Sequence, residues 1–282
     1  MTIRLAQNNY GKSRVRLLRL SRSPERHEVM ELAVAIRMEG DFDTAHSKGD
    51  NSKILPTDTM KNTVYALARQ HKPESPEAFA IRLAEHFLTD NRQTSLVGVD
   101  AIETLWSRIP QAGGAPHPSA FVAAGAEART ASLVATRASI TIRAGIEDLV
   151  AMKTSDSGFE GYPRDKYTTL KETPDRIFCT AIRATWTYGA RPSDFNRTWH
   201  GVREELLAAF AAHKSLSVQH TLYAMGEAAL QSYAEIRDMR LSLPNKHYLL
   251  SDLSPFGMDN PNVVFVPTDE PHGLIEATIA RD

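Results

Sequence analysis

Residues 55–64 read LPTDTMKNTV. From Met60 the apolar residues fall at helical spacing, through Val64, Leu67 and Ala68. That is one stripe of an amphipathic helix. Just before it stand Pro56, Thr57, Asp58 and Thr59. Thr and Asp are ordinary N-caps, because their side-chain oxygens accept from the orphan N–H groups of a helix start. One cap suffices, and three capping-type residues are offered in a row. The surplus is explained either by the helix alone or by a ligand at its start, where free N–H groups and the positive dipole end attract anions.

Outward from this helix the chain repeats one order of elements. In the first half, strands are expected at 14–21 and 29–36, helices at 59–70 and from Ser75, and strands at 95–106 and 120–134. Ser75-Pro76-Glu77 is an N-cap followed by proline in the first helical position. In the second half, strands are expected at 132–143, 148–153 and 176–187. Helices follow at 198–213, with Trp199, Val202, Leu206 and Phe210 on one stripe, and at 217–236. Strands at 238–243, 263–266 and 274–279 close the chain. Strand–strand–helix–helix–strand–strand, read twice, predicts an α+β chain of two similar units. We place them at residues 1–135 and 136–282.

Composition narrows the function. The 282 residues carry 33 basic and 34 acidic side chains, which argues against a dedicated nucleic-acid surface. Cys179 is the single cysteine. It excludes an internal disulfide and a thiolate-rich metal site, and it suits a reducing cytoplasm. The ten histidines form no His-x-His pair and no HExxH. No apolar run approaches the ~20 residues of a membrane span. The first residues lack the apolar core of a signal peptide, and ATIARD at the end is no peroxisomal address. A cytoplasmic protein is expected.

Four polar clusters stand out. Two are helix starts, Thr57-Asp58-Thr59 and Ser217-Val218-Gln219. The third is the long polar stretch 153–176 around Phe159, ending at Arg176. The fourth is LPNKHY, residues 243–248, at the exit of an alternating strand, with Asn245, Lys246 and His247.

With these residues in view, the chain resembles the cofactor-independent urate oxidases. The resemblance rests on YGKSRVR (10–16), PTDTMKNTVYALA (56–68), the loop through Phe159, DKYTTLKETPDRI (165–177), SVQHTLY (217–223) and SLPNKHY (242–248). It implies two tandem T-folds, each an antiparallel sheet with a helix pair on one face. It also implies a homotetramer with active sites between subunits, urate and dioxygen as substrates, and no metal or organic cofactor. Residue by residue it assigns Lys12, Thr57 and His247 to proton handling. Phe159 is matched to the stacking aromatic, Arg176 and Gln219 to the residues that grip the two edges of the purine. Val218 and Asp58 match positions offering backbone N–H groups, and Asn245, with Thr57, faces dioxygen or water. Thr59 is then left as the helix cap.

The chemistry fits those roles. Arginine offers a planar fork of donors to adjacent acceptors. Glutamine carries a donor and an acceptor on one amide. An electron-rich urate anion can give an electron to dioxygen directly, work otherwise left to a cofactor. Other T-fold enzymes, which act on pterins or GTP, typically anchor the base with a glutamate. A non-catalytic, tunnel-forming binding protein is the remaining alternative. One local departure from the family is GFEGY, which sets Gly158 and Glu160 beside the ring where fungal members carry bulkier, uncharged neighbours. A carboxylate there would disfavour a urate anion unless it points away. The other departure is Pro174, which precedes Arg176 without replacing a ligand.

Overall fold

The computed structural model describes residues 3–282. It divides into two compact units, one of Met1–Gly145 with Pro192–Asn196, the other of Ile146–Arg191 with Arg197–Asp282. The expected boundary at 135/136 falls at the end of a strand, while the division lies further on, between Gly145 and Ile146.

In the first unit, β1 (Tyr10–Arg22), β2 (His27–Gly40), β3 (Thr94–Arg108) and β4 (Phe121–Thr136) pair in that order, all antiparallel. Between β2 and β3 come a short helix α1 (Asp43–Lys48), α2 (Thr57–Gln70) and α3 (Pro76–Asp90). The sequence explains the layering. Leu32, Val34, Ile36 and Met38 alternate along β2 and are all buried, as are Val97, Val99 and Ala101 on β3. Period two puts them on one face of the sheet. Met60, Val64 and Ala68 of α2, with Phe79, Leu83 and Phe87 of α3, are buried too. Helix α2 packs on β1, and α3 packs on β3 and β4.

The second unit repeats the plan. Strands β5 (Ile140–Lys153), β6 (Phe178–Tyr188), β7 (Ile236–Leu250) and β8 (Phe265–Ala280) lie in that order, with β6–β7 and β7–β8 antiparallel. Between β6 and β7 run α4 (Phe195–Ala212) and α5 (Val218–Ser232). Trp199, Val202, Leu206 and Phe210 of α4 are all buried, as the stripe predicts. Helix α5 buries Leu222, Met225 and Ala229 and packs on β7 and β8.

Several boundaries differ from expectation for physical reasons. The alternation over 132–143 is not one strand. Thr136 Oγ1 accepts from the N–H groups of Ala138 and Ser139 at 3.2 and 3.1 Å, and this local turn joins β4 to β5. The two expected closing strands, 263–266 and 274–279, fall on the single β8, which begins at Phe265 and leaves 263–264 outside it. The helix expected from Thr59 starts at Thr57, and Pro56 holds the N-cap position with no side-chain cap bond. Thr59 therefore lies inside the first turn and caps nothing. The proline, with φ −55°, already holds the backbone dihedral needed for entry. Helix α3 has the expected cap, with Ser75 Oγ accepting from Ala78 N–H at 3.0 Å.

One buried ion pair ties helix to sheet in the first unit. Glu77, fully buried in the first turn of α3, accepts from Arg129 of β4 at 2.6 Å. The same guanidinium donates to Asn196 at 2.7 Å, whose amide reaches the Glu74 carbonyl at 2.8 Å. That bond pair ties Asn196 to the first unit. Glu103 stands 3.8 Å from Arg129. Burial pushes its carboxyl pKa up, Arg129 opposes this, and Glu77 adds repulsion. Removing one member of a buried pair strands the other's charge. Glu77→Ala is expected to cost about 3–5 kcal/mol of unfolding free energy. Denaturant titration checks it, and a loss under ~1 kcal/mol would mean that Glu103 takes over the guanidinium.

Candidate active site

In the second unit the residues between β5 and β6 form a self-braced loop. Phe159 donates its N–H to the Thr173 carbonyl at 2.8 Å and accepts from Thr173 N–H at 3.2 Å. Tyr162 stacks on Phe159, with ring centroids 4.8 Å apart and planes 13° from parallel, and its hydroxyl donates to the Leu170 carbonyl at 2.7 Å. Gly158 donates its N–H to the Ser215 carbonyl at 2.8 Å. Its backbone lies so close to the loop's return that an added Cβ would stand 2.8 Å from the Pro174 carbonyl oxygen. A side chain at 158 is excluded by that approach, which accounts for the glycine beside the ring. Glu160 is exposed.

The loop borders a cavity of about 340 Å³ lined by Phe159, Arg176, Val218, Gln219, Asn245 and His247, among others. The second unit thus brings six of the nine expected site residues to one place. Arg176 stands just before β6, its guanidinium carbon 5.2 Å from the Phe159 ring centroid. Burial pushes its pKa down, with Tyr162 opposing, and an arginine so placed remains a cation at neutral pH. Val218 and Gln219 are the first two residues of α5. Ser217 caps that helix by accepting from His220 N–H at 3.1 Å. The N–H groups of the first turn lie at the positive end of the helix dipole. Asn245 and His247 share one face of β7, two residues apart. Between them the pairing with β8 shifts, Asn245 opposing Gly273 and His247 opposing Thr268. The extra residues lie on β8, so β7 itself runs on without a break in its alternation.

Lys12, Thr57 and Asp58 belong to the first unit. Gly11 pairs with Arg37 so closely that a Cβ on it would stand 1.8 Å from the Ile36 carbonyl oxygen. Directly after Lys12 the register slips, and Arg14 has φ 54°. Helix α2, packed on β1, begins at Thr57. The Asp58 carboxylate accepts from Lys61 and from Asn62, the latter at 3.0 Å. The Lys61 hydrogen bond lowers its pKa most, and the charge of Lys12 adds a smaller pull. The Asp58 carboxylate is thus engaged on its own helix.

The first unit has a larger cavity of about 570 Å³, bordered by Arg19, Arg26, Glu28, Lys72 and Arg108. None of the expected site residues lines it. Its charges are spent internally: Lys72 on Glu28 at 2.6 Å, Arg19 on the Ala68 carbonyl at 3.0 Å, Arg108 on the Pro118 carbonyl at 2.8 Å. Six of the expected site residues meet at the smaller cavity instead.

The uricase family model matches residues 8–134 and 142–276. A uricase of Arthrobacter globiformis is 45% identical over 278 residues, 99% of this chain and 90% of the relative. The chain belongs to the uricase family. A second uricase, from Dictyostelium discoideum, is 39% identical over 98% of this chain and 97% of its own length. The crystal structure of the Arthrobacter globiformis uricase superposes with a TM-score of 0.94, covering all of this chain and 96% of that one. A urate oxidase of Bacillus sp. TB-90, at 22% identity and a TM-score of 0.83, shares the fold. The architecture is thus the uricase T-fold arrangement.

Within this uricase fold, two residues that shape the cavity wall escaped sequence reasoning. Tyr162 backs the Phe159 ring, and Asp175 precedes Arg176. An aromatic three positions from Phe159 in a hairpin-like loop was the available signal for the first. The second had none beyond adjacency. Among the described residues no group of three or more His, Cys, Asp or Glu could hold a metal ion. No described helix is long and apolar enough to cross a membrane. Gly158→Ala is expected to force the loop off its seat. Trypsin should then cut at the exposed Lys166 and Lys171 several-fold faster, with only a small change in Tm. Unchanged cleavage would mean that the loop absorbs the added methyl.

Proposed function

We propose that this chain oxidises urate with dioxygen and water to 5-hydroxyisourate and hydrogen peroxide, using no metal or organic cofactor. The observation that carries the reading is the convergence of Phe159, Arg176, Val218, Gln219, Asn245 and His247 on one cavity of a uricase fold. Phe159 covers the face of the purine by offset stacking. Arg176 and Gln219 hold its edges, the first as a charged fork and the second as a paired donor and acceptor. Backbone N–H groups of Val218 and Asp58 add donors from two helix starts. Lys12, Thr57 and His247 move the protons, and Asn245 with Thr57 holds dioxygen or water above the ring. The electrons lost by the ring reduce dioxygen to peroxide, and the oxygen of water stays on the purine.

In this reading the working unit is a homotetramer. The cavity's lining comes from the second unit, while Lys12, Thr57 and Asp58 stand in the first. A neighbouring copy supplies the three. The single cysteine suits a reducing compartment, and we place the enzyme in the cytoplasm.

Aerobic incubation of chelator-treated protein with urate tests the activity. Loss of the urate absorption band with peroxide formed in equal amount is expected. Turnover that returns only after copper or flavin is added would sink the cofactor-free reading.

Shared sites have their own test. Thr57→Ala and Arg176→Ala chains, each inactive, should regain part of the activity when unfolded together and reassembled. Mixed oligomers that stay inactive would place the whole site within one chain.

A further inference from the structure

We propose that Asp175 is a positioning residue whose carboxylate locks the stacking ring and the substrate-gripping arginine into one rigid wall. This rests on the urate reading above. One oxygen, Oδ1, accepts two backbone N–H bonds at 3.0 Å, from Ser157 and from Arg176. Ser157 lies two residues before Phe159, and Arg176 is the cation itself. The Asp175 carbonyl accepts from the Thr173 hydroxyl at 2.6 Å, and Thr173 is the backbone partner of Phe159. A single side chain thus joins the outgoing and returning arms of the loop at the point where both reach the cavity.

The bonded path continues to the helix that carries Gln219. Gly158 donates to the Ser215 carbonyl, and Ser215 in turn donates its N–H to the Asp156 carbonyl at 2.8 Å. Ser215 Oγ donates to the carbonyl of Ser217, the cap of α5, at 3.0 Å. The ring, the arginine and the start of α5 are therefore registered to one another through Asp175 and Ser215. Lys153 is the cation whose field reaches Asp175 and Asp156. Two readings of Asp175 follow, a hydrogen-bond acceptor or a countercharge. Both bonds go to one oxygen in the geometry of an acceptor, and an asparagine Oδ1 could make the same two.

A wall held in place acts on ground state and transition state alike, so its loss raises KM more than it lowers kcat. Two backbone bonds of ordinary net strength correspond to about a tenfold effect. Steady-state kinetics with urate and calorimetric titration with xanthine, which lacks the C8 oxygen of urate, read it out. Asp175→Ala should raise KM and the xanthine Kd about tenfold, with kcat within about threefold and the oligomer intact. Asp175→Asn keeps the acceptor oxygen and loses only the charge assistance, so it should stay within about threefold of the parent in every value. A merely structural role would instead reduce the yield of active protein and leave KM and Kd unmoved. That outcome overturns the proposal. So does an Asp175→Asn chain as impaired as Asp175→Ala, because then the charge facing Lys153 is what matters. Should Asp175→Ala fail to fold, Asp175→Asn decides alone, since a tenfold loss there contradicts the acceptor role. A parent protein that neither consumes urate nor binds xanthine would overturn the functional reading. A parent that does both beside an unmoved Asp175→Ala would overturn only the positioning role.

Discussion

The segment Ser157–Phe159 is held from two sides, by the Ser215 carbonyl and the Asp175 carboxylate. A polar loop of this length would ordinarily lose much entropy on being fixed, at about 1–2 kcal/mol for each residue. Here the cost is offset locally. Backbone partners, the Tyr162 stack and the Asp165–Thr168 turn each order part of the loop without recourse to a large core. The glycine at 158 follows from the same constraint, since the loop's return passes where its side chain would be. The ring of Phe159 is backed on one side and bordered by a guanidinium near its face, so its orientation is set before any ligand arrives. Pre-set orientation lowers the ordering cost of binding.

The two helix starts solve the same problem differently. Ser217 satisfies one donor of α5 and fixes where the helix begins, and Val218 and Gln219 follow it into the cavity wall. Helix α2 begins behind a proline that caps nothing, so Thr57, Asp58 and Thr59 keep their N–H groups without a side-chain acceptor. An uncapped start forgoes roughly 1 kcal/mol of helix stability. The buried stripe Met60, Val64 and Ala68 offsets that, because burying Met60 or Val64 alone contributes more than the cap would. None of the capping-type residues in LPTDTMKNTV is used as a side-chain cap, so the surplus is not explained by the helix alone.

Periodicity in this chain carried the fold because burial is one-sided. Strand β2 buries every second residue from Leu32 to Met38, and α4 buries Trp199, Val202, Leu206 and Phe210. Those patterns are local and can be read without knowing what lies opposite. Where burial is weak the reading failed. Strand β8 is exposed along most of its length and looked like two short pieces. Residues 132–143 alternate through a turn that only the Thr136 hydroxyl defines.

The sequence by itself determined the doubled α+β order, the helix stripes, the Ser75 cap and the residue types suited to a planar anion. Their order along the chain also pointed to the family. The tertiary structure decided which of those residues meet. It put Phe159, Arg176, Gln219, Asn245 and His247 around one cavity although they are spread over nearly ninety positions. It also decided the contacts of Gly158, Tyr162 and Asp175. The reason is physical. Secondary structure answers to periodic burial along the chain, whereas a carboxylate that accepts from residues eighteen and one positions away answers only to where the backbone returns.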